Sequence, residues 1–109
     1  MNDDVQKLLR ELGVGKTYMG CRAVVIFVEI VSEDEDRLLN IVDTYKEVAL
    51  RMGTTWRAVE RNIRTVINRA WSKNPKQVIK IVGYPMDFQP TVSEFLEGIY
   101  NYTVRLYVK

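Results

Sequence analysis

The sequence predicts an all-α fold with a helix-turn-helix at roughly residues 45–72, and three observations predict it. Apolar residues recur at i, i+3, i+4 and i+7, the period of a helix with one buried face. Asn74-Pro75 and Thr91-Val92-Ser93-Glu94 are helix starts, one with proline at the first helical position and the other a capping box. Ala49, Gly53 and Val59 stand at the spacing that lets two helices cross tightly over a short turn. A chain of 109 residues can bury roughly two-thirds of its unfolded surface, so one helical domain over residues 1–109 is expected.

The elements follow in order. Asp3 or Asp4 can cap a first helix whose residues Val5, Leu8, Leu9 and Leu12 share one face, and Gly13 and Gly15 end it. Residues 18–31 contain the run Ala23-Val24-Val25-Ile26-Phe27-Val28, which is β-branched enough for a buried strand. Their length of 14 residues favours a buried helix. Ser32-Glu33-Asp34-Glu35 matches a capping box and opens a third helix, with Leu38, Leu39 and Val42 as its apolar face. A short helix over 45–52 closes at Gly53, and a longer one follows Thr54-Thr55 to Trp71 or Ser72. Asn74-Pro75 begins the next, with Gly83 behind its end. Residues 84–89, with Pro85, read as a loop. The second capping box starts a final helix through Phe95, Leu96, Ile99 and Tyr102, and residues 103–109 fit either a helix or an extended tail.

Composition narrows the chemistry. The chain has no histidine, which removes Ser-His-Asp and Cys-His nucleophiles and the common His-ligated metal sites. The expectation is a protein that is not an enzyme and needs no cofactor or metal. The single Cys21 cannot close an internal disulfide and reads as a small core residue. The longest apolar run, 23–28, is far short of the ~20 residues that span a bilayer, and the acidic N-terminus does not resemble a secretory signal. A cytoplasmic protein without a membrane partner is expected. Gly13-Val14-Gly15-Lys16-Thr17 ends like a phosphate-binding loop, but the motif's first glycine would fall on Arg10 and a helix precedes it. Residues 33–36 form an acidic cluster without the glycine and distal glutamate of a calcium loop, so helix capping explains them better.

Charge is unevenly spread along the chain. Residues 1–45 carry five basic and nine acidic side chains, residues 46–80 nine and two, and residues 81–109 two and three. A net +7 over 35 residues suggests a face for a polyanion.

That segment also holds the helix-turn-helix. Ala49 is the small residue of the first helix, Val48 and Met52 are core contacts beside it, Gly53 makes the turn, and Val59 and Ile63 face inward from the second helix. On the second helix Val59, Ile63, Val66, Ile67 and Ala70 form one stripe, while Arg57, Glu60, Arg61, Arg64 and Asn68 form the opposite one. Arginine can fork onto guanine O6 and N7, and glutamate can accept from cytosine N4, so Arg57, Glu60, Arg61 and Arg64 are the candidate base readers. Thr54, Thr55 and Trp56 stand at the helix N-terminus, where backbone N–H groups favour a phosphate. With Asn68, Arg69, Lys73, Lys76 and Lys80 they are the candidate backbone contacts. The same face is also what an ordinary solvated helix with internal ion pairs would show. Trp56 can equally cover the rim of the core.

These residues bring a family into view. Tyr45-Lys46-Glu47-Val48-Ala49, Thr54-Thr55, Val59-Glu60-Arg61-Asn62-Ile63-Arg64 and Ala70-Trp71-Ser72 resemble the DNA-binding effector domain of the sporulation response regulators called stage 0 sporulation protein A. Gly83-Tyr84, Pro90-Thr91-Val92-Ser93-Glu94-Phe95 and, more loosely, Leu12-Gly13-Val14 extend the likeness over nearly the whole chain. The resemblance implies about six helices, a recognition helix from 55 to about 71, transcription control at short operator boxes, and two domains in tandem on DNA. It gives Glu60 and Arg61 the family's base-reading role. The family's Ser-Arg before Val-Glu-Arg is Arg57-Ala58 here, so one base-contacting arginine does not carry over and a different operator is expected. The family also carries an N-terminal receiver domain, whereas this sequence starts at the DNA-binding part; a truncated member or a stand-alone homologue is the expectation. Duplex DNA is the expected partner, bound by a homodimer or tandem pair, with RNA polymerase as a further contact. The alternative is an interaction module that modulates a full-length homologue or RNA polymerase without specific DNA binding.

Overall fold

The computed structural model describes residues 2–15 and 18–108; the side chains of Asn2 and of residues 105–108 lie outside that description. Lys16 and Thr17, the end of the phosphate-loop look-alike, and Lys109 fall outside the described residues. Among the described residues six α-helices, α1 (Asn2–Glu11), α2 (Met19–Glu33), α3 (Ile41–Met52), α4 (Trp56–Lys73), α5 (Pro75–Val82) and α6 (Val92–Val108), follow one another along the chain. A 3₁₀ turn over Glu35–Leu39 separates α2 from α3. The fold is all-α, as the periodicity predicts.

The helix α2 is the centre of the packing. Gly20, Cys21, Ala23, Val24, Val25, Phe27, Val28, Ile30 and Val31 are buried along it, and α1, α3, α4 and α6 all pack against it. Its β-branched run is helical because burial on nearly every side outweighs a weak local preference for strand. Around it α1 contributes Val5, Leu8, Leu9 and Leu12, α4 its apolar stripe, and α6 Phe95, Leu96, Ile99 and Tyr100, all in one contiguous core.

The expected caps at Asn74 and Thr91 form. Asn74 accepts from the Gln77 N–H at 3.2 Å, with Pro75 as the first helical residue. At α6 the capping box closes in both directions: Glu94 N–H donates to Thr91 Oγ1 at 3.2 Å, and Thr91 N–H donates to Glu94 Oε1 at 2.9 Å. The ambiguous C-terminal stretch continues α6 as helix through Val108.

Two sequence expectations are corrected. Helix α1 begins at Asn2, so Asp3 and Asp4 lie inside its first turn, where their charge favours the helix dipole, rather than ahead of it as caps. Ser32 and Glu33 end α2 instead of opening a third helix, and the Ser32 hydroxyl donates to the Glu29 carbonyl at 2.8 Å. Asp34 then takes an extended conformation and accepts from the Asp36 N–H, which starts the 3₁₀ turn. Leu38 is partly buried, but Leu39 is 81% exposed and Val42 is exposed too. The next helix is therefore α3, beginning at Ile41, ahead of the expected position 45. Its earlier start is held by the buried Thr44, whose hydroxyl donates to the Arg37 carbonyl at 2.7 Å, and by Arg37, whose guanidinium meets Glu47 at 2.6 Å.

Candidate nucleic-acid interface

Helices α3 and α4 meet over a turn of three residues, Gly53 to Thr55. Gly53 has φ of 68°, a left-handed conformation that a residue without Cβ adopts freely. The Thr54 N–H reaches back to the Ala49 carbonyl at 2.9 Å. Thr55 caps α4, its hydroxyl accepting from the Ala58 N–H at 3.2 Å. Val48 and Ala49 from α3 and Val59 and Ile63 from α4 are buried together, with Met52 packed against them. The corner has the small residue, the turn glycine and the inward apolar pair where the sequence places them.

The opposite stripe of α4 faces outward. Arg57, Arg61, Arg64, Asn68 and Arg69 are exposed and Glu60 is half-buried. Arg64 pairs with Glu60 at 2.7 Å one turn away. With 59% of the Arg64 side chain exposed, such an i,i+4 pair contributes about 0.3–0.5 kcal/mol, which a stronger acceptor can readily displace. Beneath it lies Tyr45 of α3. Burial, and then the Glu60 charge, push its hydroxyl up to about 12, while Arg64 pulls the other way.

Trp56 covers the rim of the core from the first turn of α4, and the Arg57 guanidinium sits 5.3 Å from its ring centroid. A cation held over an aromatic face at an exposed site gains about 0.5–1 kcal/mol, so Arg57 is partly organised rather than free to sweep. Thr54 and Thr55 are exposed beside it, as are Lys73, Lys76 and Lys80 beyond it. The Lys73 stem lies across Gly13 in the turn after α1: a Cβ on that glycine would come within 2.7 Å of Lys73 Cδ.

One neighbour of this face has no local signal in the sequence. The loop between α5 and α6 returns to α4, and the Gln89 amide donates to Asn68 Oδ1. Arg64, Ile67, Gln89, Pro90, Thr91 and Val92 line a cleft of about 250 Å³ between loop and helix. Gln89 lies 21 residues from Asn68, beyond any helical or hairpin spacing. Thr65 also faces outward, its hydroxyl turned back to the Arg61 carbonyl at 3.2 Å.

The acidic cluster has structural employment. Asp34 caps the 3₁₀ turn, and Glu35 accepts from the Tyr100 hydroxyl at 2.7 Å. Among the described residues no group of three or more His, Cys, Asp or Glu side chains is placed to hold a metal, and no helix is long and apolar enough to cross a membrane.

Compared with known protein families, residues 5–103 match the model described as "Sporulation initiation factor Spo0A C terminal". The matched span includes the whole α3–α4 corner and the loop that carries Gln89.

Proposed function

The chain belongs to the family of Spo0A C-terminal domains, the DNA-binding effector part of a sporulation regulator, and on that footing we propose that it binds duplex DNA sequence-specifically, reading the major groove with α4. One observation carries this reading: α4 is fixed to the core by five buried apolar residues while the arginines of its other face stay exposed. A major groove ≈ 12 Å wide admits such a helix.

In this reading Arg61 and Arg64 fork onto guanines, Glu60 accepts from cytosine N4 once Arg64 turns to the DNA, and Arg57 reaches a base or phosphate from its seat on Trp56. Thr54, Thr55, Trp56, Asn68, Arg69, Lys73, Lys76 and Lys80 position the duplex through its phosphates. The partner is a short operator in the bacterial nucleoid, occupied by two copies in tandem.

Selection of bound sites from a random duplex library tests the proposal. The expected result is enrichment of a G·C-containing site. Arg61→Ala should cost roughly 1–3 kcal/mol and relax one base position, whereas Lys76→Ala should weaken all sequences alike. Failure to enrich any duplex at low salt would refute the reading. A second reading, a module that pairs with a full-length homologue or RNA polymerase, draws on the exposed Leu39 and Leu50. It requires that partner binding survive the double change Arg61→Ala and Arg64→Ala.

A further inference from the structure

The polar stripe of α4 does not stop at Arg64. Residues 57, 61, 64 and 68 share one face, and Asn68 is the point at which the α5–α6 loop touches that face. Of the loop's residues 83–91 only Asp87 is charged, and it is acidic and exposed. The loop therefore adds nothing to phosphate attraction; what it brings to the stripe is a neutral amide.

The chemistry of that amide pair is specific. Gln89 Nε2 donates to Asn68 Oδ1. Among the described residues no other hydrogen bond occupies the Gln89 oxygen or the Asn68 amino group. A primary amide carries two N–H groups, so the Gln89 amide still offers its oxygen as an acceptor and its second N–H as a donor on one carbon, and the Asn68 amino group is a further donor. Adenine in the major groove presents the complement, an N6 donor next to an N7 acceptor, and asparagine or glutamine is the usual partner for that edge. Both residues are exposed, and the cleft between Gln89 and Arg64 is open rather than filled by side chains.

We infer that Gln89, held on α4 by Asn68, is a further specificity-determining residue, which reads an A·T base pair beside the G·C positions contacted by Arg61 and Arg64, with Asn68 turned to Gln89 in place of the phosphate contact proposed for it above. The inference rests on the proposed DNA-binding function and adds a reader that comes from outside the helix-turn-helix. In this arrangement the loop is held on α4 before DNA arrives, so little order has to be gained when the base is met.

Site selection with the full chain and its Gln89→Ala and Gln89→Glu variants separates the possibilities, with circular dichroism confirming that each exposed-loop variant is folded. The wild type is expected to enrich an A·T pair at the flank of the G·C core. Gln89→Ala should lose about fivefold or more of the discrimination at that one position, with the salt dependence unchanged. Gln89→Glu, which can only accept, should move the preference toward cytosine, whose N4 donates. A brace without a reading role would weaken binding equally on every sequence and leave the selected site unaltered, and that outcome overturns the inference while leaving the DNA-binding reading in place. A wild type that enriches no duplex removes both.

Discussion

Glu94 shows how much one side chain at a helix start can hold. Its carboxylate accepts from the Thr91 N–H at 2.9 Å and from the Tyr84 hydroxyl at 2.5 Å, tying the first turn of α6 to the loop that carries Gln89. The Thr91 backbone bond first, and then the Tyr84 and Thr91 hydroxyls, keep this carboxyl below the usual glutamate range; the same bond raises Tyr84. A carboxyl whose pKa falls on folding stabilises the fold above its unfolded value, near 4.3, and that contribution disappears as pH drops through the folded value. The Tyr84 contribution has the opposite sense, present at neutral pH and lost as pH rises through its raised value. Glu94→Gln should therefore lower Tm at neutral pH, with the gap to wild type closing as pH falls below the usual glutamate range. Thermal unfolding from neutral pH down through that range is the measurement; an equal gap at both ends would mean that the carboxylate's charge plays no part. Burial acts on Cys21, pushing its thiol up to about 11, which keeps it a neutral core group as its apolar flanks suggest.

Helices with both a cap and a periodic face were legible, α4 most of all, because Thr55 at its start and the stripe along it are local signals. The 3₁₀ turn was not. Four successive acids, Glu33 to Asp36, offer several caps of similar quality, and the choice among them is made far away in sequence, by Tyr100 on Glu35 and Glu47 on Arg37. Gly20 is a second silent position. A Cβ there would lie 2.2 Å from the Asn62 carbonyl oxygen and 2.5 Å from Val66 Cγ2, so the backbones of α2 and α4 touch at this point. Because the first obstacle is backbone, no rotamer change relieves it. Gly20→Ala should cost about 1–3 kcal/mol as α4 is pushed off α2, a fall of roughly 4–8 °C in Tm for each kcal/mol. A urea midpoint equal to wild type would show that the two helices can separate without loss.

At the scale of the molecule, what the sequence shows is the direction of the field. Its candidate readers Arg57, Arg61 and Arg64 are exposed on one stripe as expected, whereas Gln89 reaches that stripe only through the tertiary fold. The longest extent, 33 Å, is close to one turn of B-DNA, about 34–36 Å, so the proposed tandem arrangement of two copies would call for operator boxes about 10 base pairs apart. Binding strength over such a site should follow the basic segment 46–80, since the acidic residues of 1–45 leave that region net −4. If Arg69, Lys73, Lys76 and Lys80 each neutralise one phosphate, log K should fall against log salt with a slope near −4 per copy, steepening to about −6 if the full excess of seven takes part. Titration of one selected site over a range of salt concentrations gives this slope directly. Lys76→Ala should make it shallower by about 0.9, and Glu35→Gln, on the acidic turn, should leave it unchanged. A slope near zero would mean that affinity is not carried by phosphate contacts, and the uneven charge of this chain would then have to serve a partner other than DNA.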